Sequence, residues 1–284
     1  MYEFGLNELP GWSSGKPTTN SVDYEPVYSS QSGDPCYSSA GFTSSECTMA
    51  YRWHLDYVKD LHGNAMSYYY TQNTNYYAGD NGAKNGANSY LYVRDSQLNH
   101  IDYGFTDPNA YGNVADRIAF TPGDRCFTGS CGTQTAANWP DVPWDLSCAK
   151  GATCSNYGPA YFSTVRLASI AAEQWNGTSY NTVDNYALTE GIPTTGTYNT
   201  STLQLDTITR TGEDTTAGGT SPPAQSESFA YEMMANRVNY TTGAGSGLGP
   251  LNRYRLTAIT TESNSVISIV YELVDPVRPP ASPR

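Results

Sequence analysis

The chain has 284 residues and a formal net charge of −12, with only 15 Lys and Arg. It contains no basic run that could neutralise phosphates, which excludes nucleic acid and anionic membrane surfaces as natural partners. Charged residues make up 15% of the chain, against about 25% in a typical globular protein. Tyrosine (24) and glycine (26) are abundant instead. Tyrosine joins a large apolar body to a polar tip and suits half-buried β faces, so the composition predicts an all-β fold. No 18-residue apolar run occurs, so no membrane-spanning helix is expected.

Residues 1–50 hold Phe4, Leu6 and Leu9 in short extended order, then the turn Pro10-Gly11-Trp12, then polar loop as far as Cys47. Met1–Leu6 lacks the basic start and apolar middle of a signal peptide, so an export signal, if one is used, lies elsewhere. The chain reads as though it begins in mid-strand. Tyr51–Tyr70 is the best-patterned stretch: Tyr51, Trp53, Leu55 and Tyr57 alternate with Arg52, His54 and Asp56. Alternation with period two is the mark of a half-buried strand. Asp60, Gly63 and Asn64 supply turn chemistry, and alternation resumes at Met66, Tyr68 and Tyr70. The expectation is one long β-hairpin.

Asn73–Asn88 reads as a Gly/Asn/Asp loop. It lacks the carboxylate spacing and terminal Glu of a calcium-binding EF-hand loop. Tyr90–Tyr103 reads as a strand pair and Ile118–Phe120 as a further strand. Residues 122–160 form an irregular insertion holding four cysteines and the run Trp139-Pro140-Asp141-Val142-Pro143-Trp144, whose prolines forbid a central strand. Arg166–Ile170 and Val183–Leu188 flank Asn176-Gly177, a strong hairpin signal. Leu203–Thr211 is a strand and Gly212–Gln225 a linker. Phe229, Tyr231 and Met233 alternate as a strand, although Tyr231–Arg237 also fits a short helix. Gly243, Gly245, Gly247 and Gly249 lack the spacing of a dinucleotide fingerprint. Arg253–Tyr271 is a hairpin turning at Glu262–Ser265. The whole is expected to be one hairpin-rich domain over residues 1–274, a curved, meandering antiparallel sheet with long loops. Residues 275–284 form a Pro-rich disordered tail.

The six cysteines fall into sequence-local couples: Cys36 with Cys47, Cys126 with Cys131, and Cys148 with Cys154. None has the close C-x₂-C spacing of a zinc site. Disulfides, free thiols and a metal site are all conceivable; disulfides fit best and imply an oxidising, secreted or cell-surface destination. A Leu-x-x-Ile motif recurs at Leu98/Ile101, Leu167/Ile170, Leu205/Ile208 and Leu256/Ile259. An odd separation cannot place both residues on one face of a regular strand. Either Leu tucks under the start of the strand, or a bulge shifts the phase.

Asp60-x-x-Gly63-Asn64-x-x-x-Tyr68, followed by Leu98-x-x-Ile101-Asp102-Tyr103, resembles the tyrosine–aspartate (YD) repeats of Rhs-type proteins. Phe4-Gly5-Leu6-Asn7, Leu9-Pro10-Gly11-Trp12, His62–Tyr68, Trp139–Trp144, Pro250–Leu256 and the cysteine pattern resemble the segment preceding the regular repeats in secreted actinobacterial Rhs toxins. Lys59 stands where a repeat has Tyr, and Ser96-Gln97 replaces Gly-Arg. The resemblance implies a teneurin-like shell of wound β-hairpins enclosing a toxin or effector. It implies that this chain is one wall segment, with the remainder of the shell or its cargo as partner.

No chemistry competes strongly with that reading. His54, His62 and His100 read as surface or turn residues, and neither G-x-S-x-G nor H-E-x-x-H occurs. No enzyme activity, cofactor or metal is expected. The alternative is a secreted carbohydrate- or cell-surface-binding β module. Its stacking platform would draw on Tyr76 and Tyr77, Tyr68–Tyr70, or Trp139 with Trp144. The bland reading of those aromatics is strand-to-strand packing and loop core.

Overall fold

The computed structural model describes residues 1–195, 201–213, 223–237 and 251–271. Eleven strands form one antiparallel sheet that does not close into a barrel. They are β1 (Tyr2–Phe4), β4 (Leu55–Lys59), β5 (Asn64–Tyr77), β6 (Tyr90–Thr106), β7 (Asp116–Asp124), β8 (Val165–Trp175), β9 (Tyr180–Gly191), β10 (Gln204–Gly212), β11 (Gln225–Ala235), β12 (Asn252–Thr260) and β13 (Val266–Ser268). From β4 onward each strand pairs with the next in sequence, and β1 closes the first edge against β4. Two further strands, β2 (Val22–Tyr28) and β3 (Glu46–Trp53), form a separate ribbon.

The long hairpin expected over Tyr51–Tyr70 is two structures. Tyr51, Arg52 and Trp53 end β3, Arg52 and Trp53 pairing with Asp23 and Val22 of β2 and Tyr51 standing at a bulge, whereas the hairpin proper is β4–β5, with Tyr57 opposite Ser67 and Lys59 opposite Ala65. The chain changes sheets at His54, whose amide donates to Ser21 O at 2.7 Å. Alternation runs unbroken through that point, so the sequence pattern does not mark it. The polar side of the alternation is also corrected: Asp56 is fully buried. It is the extra residue where Glu3 and Phe4 of β1 face Tyr57 and Leu55. Its Oδ2 accepts from Ser21 Oγ (2.7 Å), Thr19 Oγ1 (3.2 Å) and Asn7 N (2.9 Å).

Other boundaries move. β2 lies in the stretch expected to be polar loop, its pattern hidden by Pro26 and two acidic residues. Tyr90–Tyr103 is one strand, running on to Thr106, and β5 extends to Tyr77 into the expected loop. β7 reaches Asp124, and Pro122 is tolerated there because the ladder is interrupted between Thr121 and Pro122. The expected turns at Asn176-Gly177 and Glu262–Ser265 do join β8 to β9 and β12 to β13. β11 takes the place of the competing short helix. Most of the Gly212–Gln225 linker, the Gly243–Gly249 loop and the tail lie outside the described residues.

Three small clusters serve as core. Leu9, Tyr57, Ala65, Tyr69, Phe105, Ala110 and Val114 cover one face of β4–β6. Tyr77, Tyr90 and Tyr92 join the ribbon through Tyr28. Cys126, Trp139 and Val142 fill the insertion. The three disulfides are the local couples, Cys36–Cys47, Cys126–Cys131 and Cys148–Cys154. From β7 to β13 no described strand residue is buried. That part of the sheet is a single layer.

Candidate functional site: the apolar face of the sheet

The recurring Leu-x-x-Ile motif builds this face, and a bulge resolves its odd spacing. In β6, Leu98 lies opposite Tyr70 and His100 opposite Tyr69, so Asn99 is the unpaired extra residue. The same break falls at Ala168 in β8, Asp206 in β10 and Thr257 in β12. In every case it is the residue directly after Leu, on the second strand of a hairpin. The extra residue adds one step to an odd separation. Leu98 and Ile101 therefore face Tyr70 and Tyr68, two positions apart on β5 and so on one side. Leu256 and Ile259 likewise face Tyr231 and Phe229.

Directly opposed residues share a face, so the ladder can be followed across strands. Tyr68, Ile101, Ile118 and Ala172 lie in one row. Phe120, Ile170, Tyr186 and Arg210 lie in the next. Leu188 meets Ile208, and Phe229 meets Ile259 and then Ile267. At the other edge, Tyr2 and Phe4 of β1 extend the face beyond Val58 and Met66, and both are exposed. The reverse side of the layer is small and hydroxylic at its middle. Thr121, Ser169, Ala187, Thr209 and Ser226 form one of its rows. In these rows one face carries the bulky aliphatic and aromatic residues and the other Ala, Ser and Thr, while toward β4–β6 that second face carries the first core cluster with Tyr57, Tyr69 and Phe105.

Shallow depressions dent the apolar face. One, about 320 Å³, opens between Leu98, Phe120, Pro122, Val165 and Leu167, where β6 and β7 part company after His100 and Ala119. Another, about 160 Å³, lies among Leu203, Leu205, Tyr231 and Tyr254. Two ion pairs lie near this face: Arg210 with Asp184 at 3.1 Å and Arg166 with Glu190 at 2.8 Å.

His62 is exposed in its turn, as expected, but the other two histidines are placed differently. His54 donates to Asp23 Oδ2 at 3.0 Å and stacks on Tyr70. His100 stacks on Tyr69 with 4.4 Å between ring centres; burial pushes its imidazole down to about 4, so it is neutral at neutral pH. Neither is a free surface residue. Burial alone would raise the Asp23 carboxyl, but hydrogen bonds from His54 and Ser96 outweigh it and hold Asp23 below the usual range. Ser96 and His54 both donate to this one carboxylate, so the trio is not ordered as nucleophile, base and orienter. The described residues contain no cluster of three metal-ligating side chains.

The turn bearing Asp60, Gly63 and Asn64 is tightly tied. Asp60 Oδ1 accepts from His62 N (2.8 Å) and Asn64 N (2.9 Å), Oδ2 accepts from Asn64 Nδ2 (2.7 Å), and Gly63 takes φ +84°. Tyr68 lies half-buried on the apolar face, its hydroxyl donating to Met66 Sδ at 2.9 Å. The aromatic platform proposed for sugars is largely withdrawn from solvent. Trp139 is 5% exposed and donates Nε1–H to Cys131 O. Trp144 packs against the same cluster, and Tyr77 is 5% exposed. Tyr76 alone of the four lies outside any core cluster.

No protein-family model and no curated protein matches the sequence. Among solved structures, the chain is similar to the crystal structure of TcdB2-TccC3-TEV, at 12% identity and a TM-score of 0.38, covering 66% of this chain and 9% of that one. It is similar to TcdB2-TccC3 without the hypervariable C-terminal region, at 12% identity and 0.37, covering 81% and 12%. A third similarity is to the Photorhabdus luminescens Tc holotoxin pore with a mutant TccC3, at 13% identity and 0.36, covering 64% and 9%. The chain thus spans about a tenth of the length of these structures, and identities this low assign no function.

Proposed function

We propose that this chain is a non-catalytic wall segment of a secreted Rhs/YD-repeat shell, its apolar face turned toward an enclosed or presented polypeptide. The observation that carries the reading is the single layer from β7 to β13. A sheet normally buries its apolar face against a second layer, yet here that face has no cover among the described residues. The residues of the face are mostly half-buried and contiguous, and contiguous apolar surface left open to solvent fits an interaction site. The unbroken meander and the YD-like motifs fit a wall extended by adding hairpins, with residues 1–274 acting as one segment. Three disulfides suit an extracellular destination.

Site-specific photo-crosslinking tests this reading. A benzophenone amino acid at Ile118 (apolar face), in the exported protein, is expected to capture polypeptide. The same probe at the adjacent Ala119 (opposite face) is not. Equal capture from both positions, or capture from Ala119 alone, contradicts it.

A further inference from the structure

Six tyrosines stand in one column between the ribbon and the β5–β6 hairpin. Tyr51 lies 5.2 Å from Tyr161, Tyr161 5.8 Å from Tyr92, and Tyr92 5.6 Å from Tyr77, measured between ring centres. Tyr77 is 5.5 Å from Tyr90, and Tyr90 6.1 Å from Tyr28. Tyr161 is 46% exposed; Tyr92, Tyr77 and Tyr90 are buried. Tyr51 donates to Val93 O; packing explains the contacts between rings but not what the next hydroxyl in from each end meets. Tyr161 donates to the Glu25 carboxylate, and Tyr90 donates to Glu46 Oε2 at 2.6 Å. Tyr28 hydrogen-bonds the Tyr90 oxygen at 2.6 Å; since the Tyr90 proton is committed to Glu46, Tyr28 is the donor. The central Tyr92 has no carboxylate partner; its oxygen accepts from Ala160 N and Asn75 Nδ2 and its proton goes to Ala160 O.

We propose that this column is a one-electron relay, with Tyr161 its solvent-facing terminal and Tyr90 its buried sink. A phenol gives up an electron readily only if its proton can leave at the same moment. One ring in from each end of the column, Tyr161 and Tyr90 each have a carboxylate in hydrogen-bond contact for that purpose. An external one-electron oxidant takes an electron from Tyr161, whose proton passes to Glu25 and leaves a phenoxyl radical. An electron then crosses the intervening rings from Tyr90. The Tyr90 proton passes to Glu46, and the proton on Glu25 returns to Tyr161. One electron has gone to the oxidant, and one proton has moved from Tyr90 to Glu46. Burial and then the Glu46 hydrogen bond hold the Tyr90 phenol well above its ordinary pKa, so the proton stays in place until the electron leaves.

The full chain with its disulfides intact can be tested using photogenerated tris(bipyridine)ruthenium(III) as oxidant. A nitroso spin trap captures the radicals, and the adducts are mapped by mass spectrometry. Adducts are expected on Tyr161 and on buried Tyr90, at yields exceeding those on Tyr2 and Tyr157, which are more exposed. Tyr92→Phe keeps a ring in the column but raises the oxidation barrier there; Tyr90 adducts should fall at least tenfold while Tyr161 adducts persist. Glu46→Gln leaves every ring in place and should lower Tyr90 adducts alone. Yields that follow solvent exposure, with Tyr90 unlabelled in the native chain, overturn the relay. So does Tyr90 labelling unchanged in Glu46→Gln.

Discussion

Leu98 and Ile101 point to the same side of the sheet, although three positions separate them, because Asn99 between them has no partner on β5. The same arrangement holds in β8, β10 and β12. The apolar face therefore depends on one inserted residue per hairpin.

Deleting Asn99 removes that residue and forces either Leu98 or Ile101 to the opposite face. A loss of about 1–3 kcal/mol is expected, in the range of disrupted packing. Asn99→Ala keeps the inserted residue and should stay within about 0.5 kcal/mol of the parent, as for an exposed surface change. Urea unfolding midpoints distinguish the two. Equal effects would show that the bulge does not set the phase.

Asp56 holds the N-terminal segment to β4 through Asn7, Thr19 and Ser21. Asp56→Ala strips three donors of a buried charged acceptor and should cost roughly 3 kcal/mol or more. Hydrogen exchange at residues 5–21 should accelerate before the rest of the sheet responds. Unchanged protection there would contradict this role.

Asn64, through its side chain, and the backbone at His62 and Asn64 hold the Asp60 carboxyl below its ordinary pKa. Lys59 and then Tyr57 do the same for Asp107. A folded pKa lower than the unfolded one gives stability that is complete above the unfolded value and is lost as pH falls through the folded value. The melting temperature should therefore hold near neutrality and drop below about pH 4. Asp107→Asn should flatten that drop. A melting temperature that rises on acidification would refute the assignment.

Each disulfide closes a short ring, worth about 2–3 kcal/mol in the chain-entropy model. Replacing both Cys148 and Cys154 by Ala should lower stability by about 2 kcal/mol. The ring's backbone is also held by Asn75 and Asn85, through Cys148 N (2.7 Å) and Cys154 N (2.8 Å). Hydrogen exchange should therefore rise first at residues 78–88. A non-reducing peptide map should contain only the three local pairs; crossed pairs would contradict the fold of the insertion.

The all-β class was legible because alternation and turn chemistry are local. Asn176-Gly177 placed a hairpin correctly for that reason. The change of sheet at His54 was not legible, since Trp53, His54 and Leu55 keep the same period while the partner strand changes. Asp56 looked outward by alternation and is buried, because the bulge facing β1 breaks the parity on which that reading depends. β2 was hidden by Pro26 among acidic residues. For the site, the Leu-x-x-Ile spacing pointed to either a bulge or a tucked Leu, and the ladders show the bulge. The continuous face across β1 and β4–β13 needs registers between strands, which one sequence does not contain. Trp139 is buried by its own insertion, through Cys126, Val142 and Trp144, as the loop-core reading expected, whereas Tyr77 is buried by Tyr90 and Tyr92 of the neighbouring strand, a pairing its loop-like stretch does not show.

The most direct test of the wall-segment account is a cryo-electron microscopy map of the exported protein purified with whatever it naturally encloses. The account predicts polypeptide density over the face defined by Ile101, Ile118, Ile170, Leu188 and Ile259, with the Ser/Thr/Ala face turned to solvent. A bare apolar face, with a partner seated on the Ser169, Ala187 and Thr209 side, would contradict it.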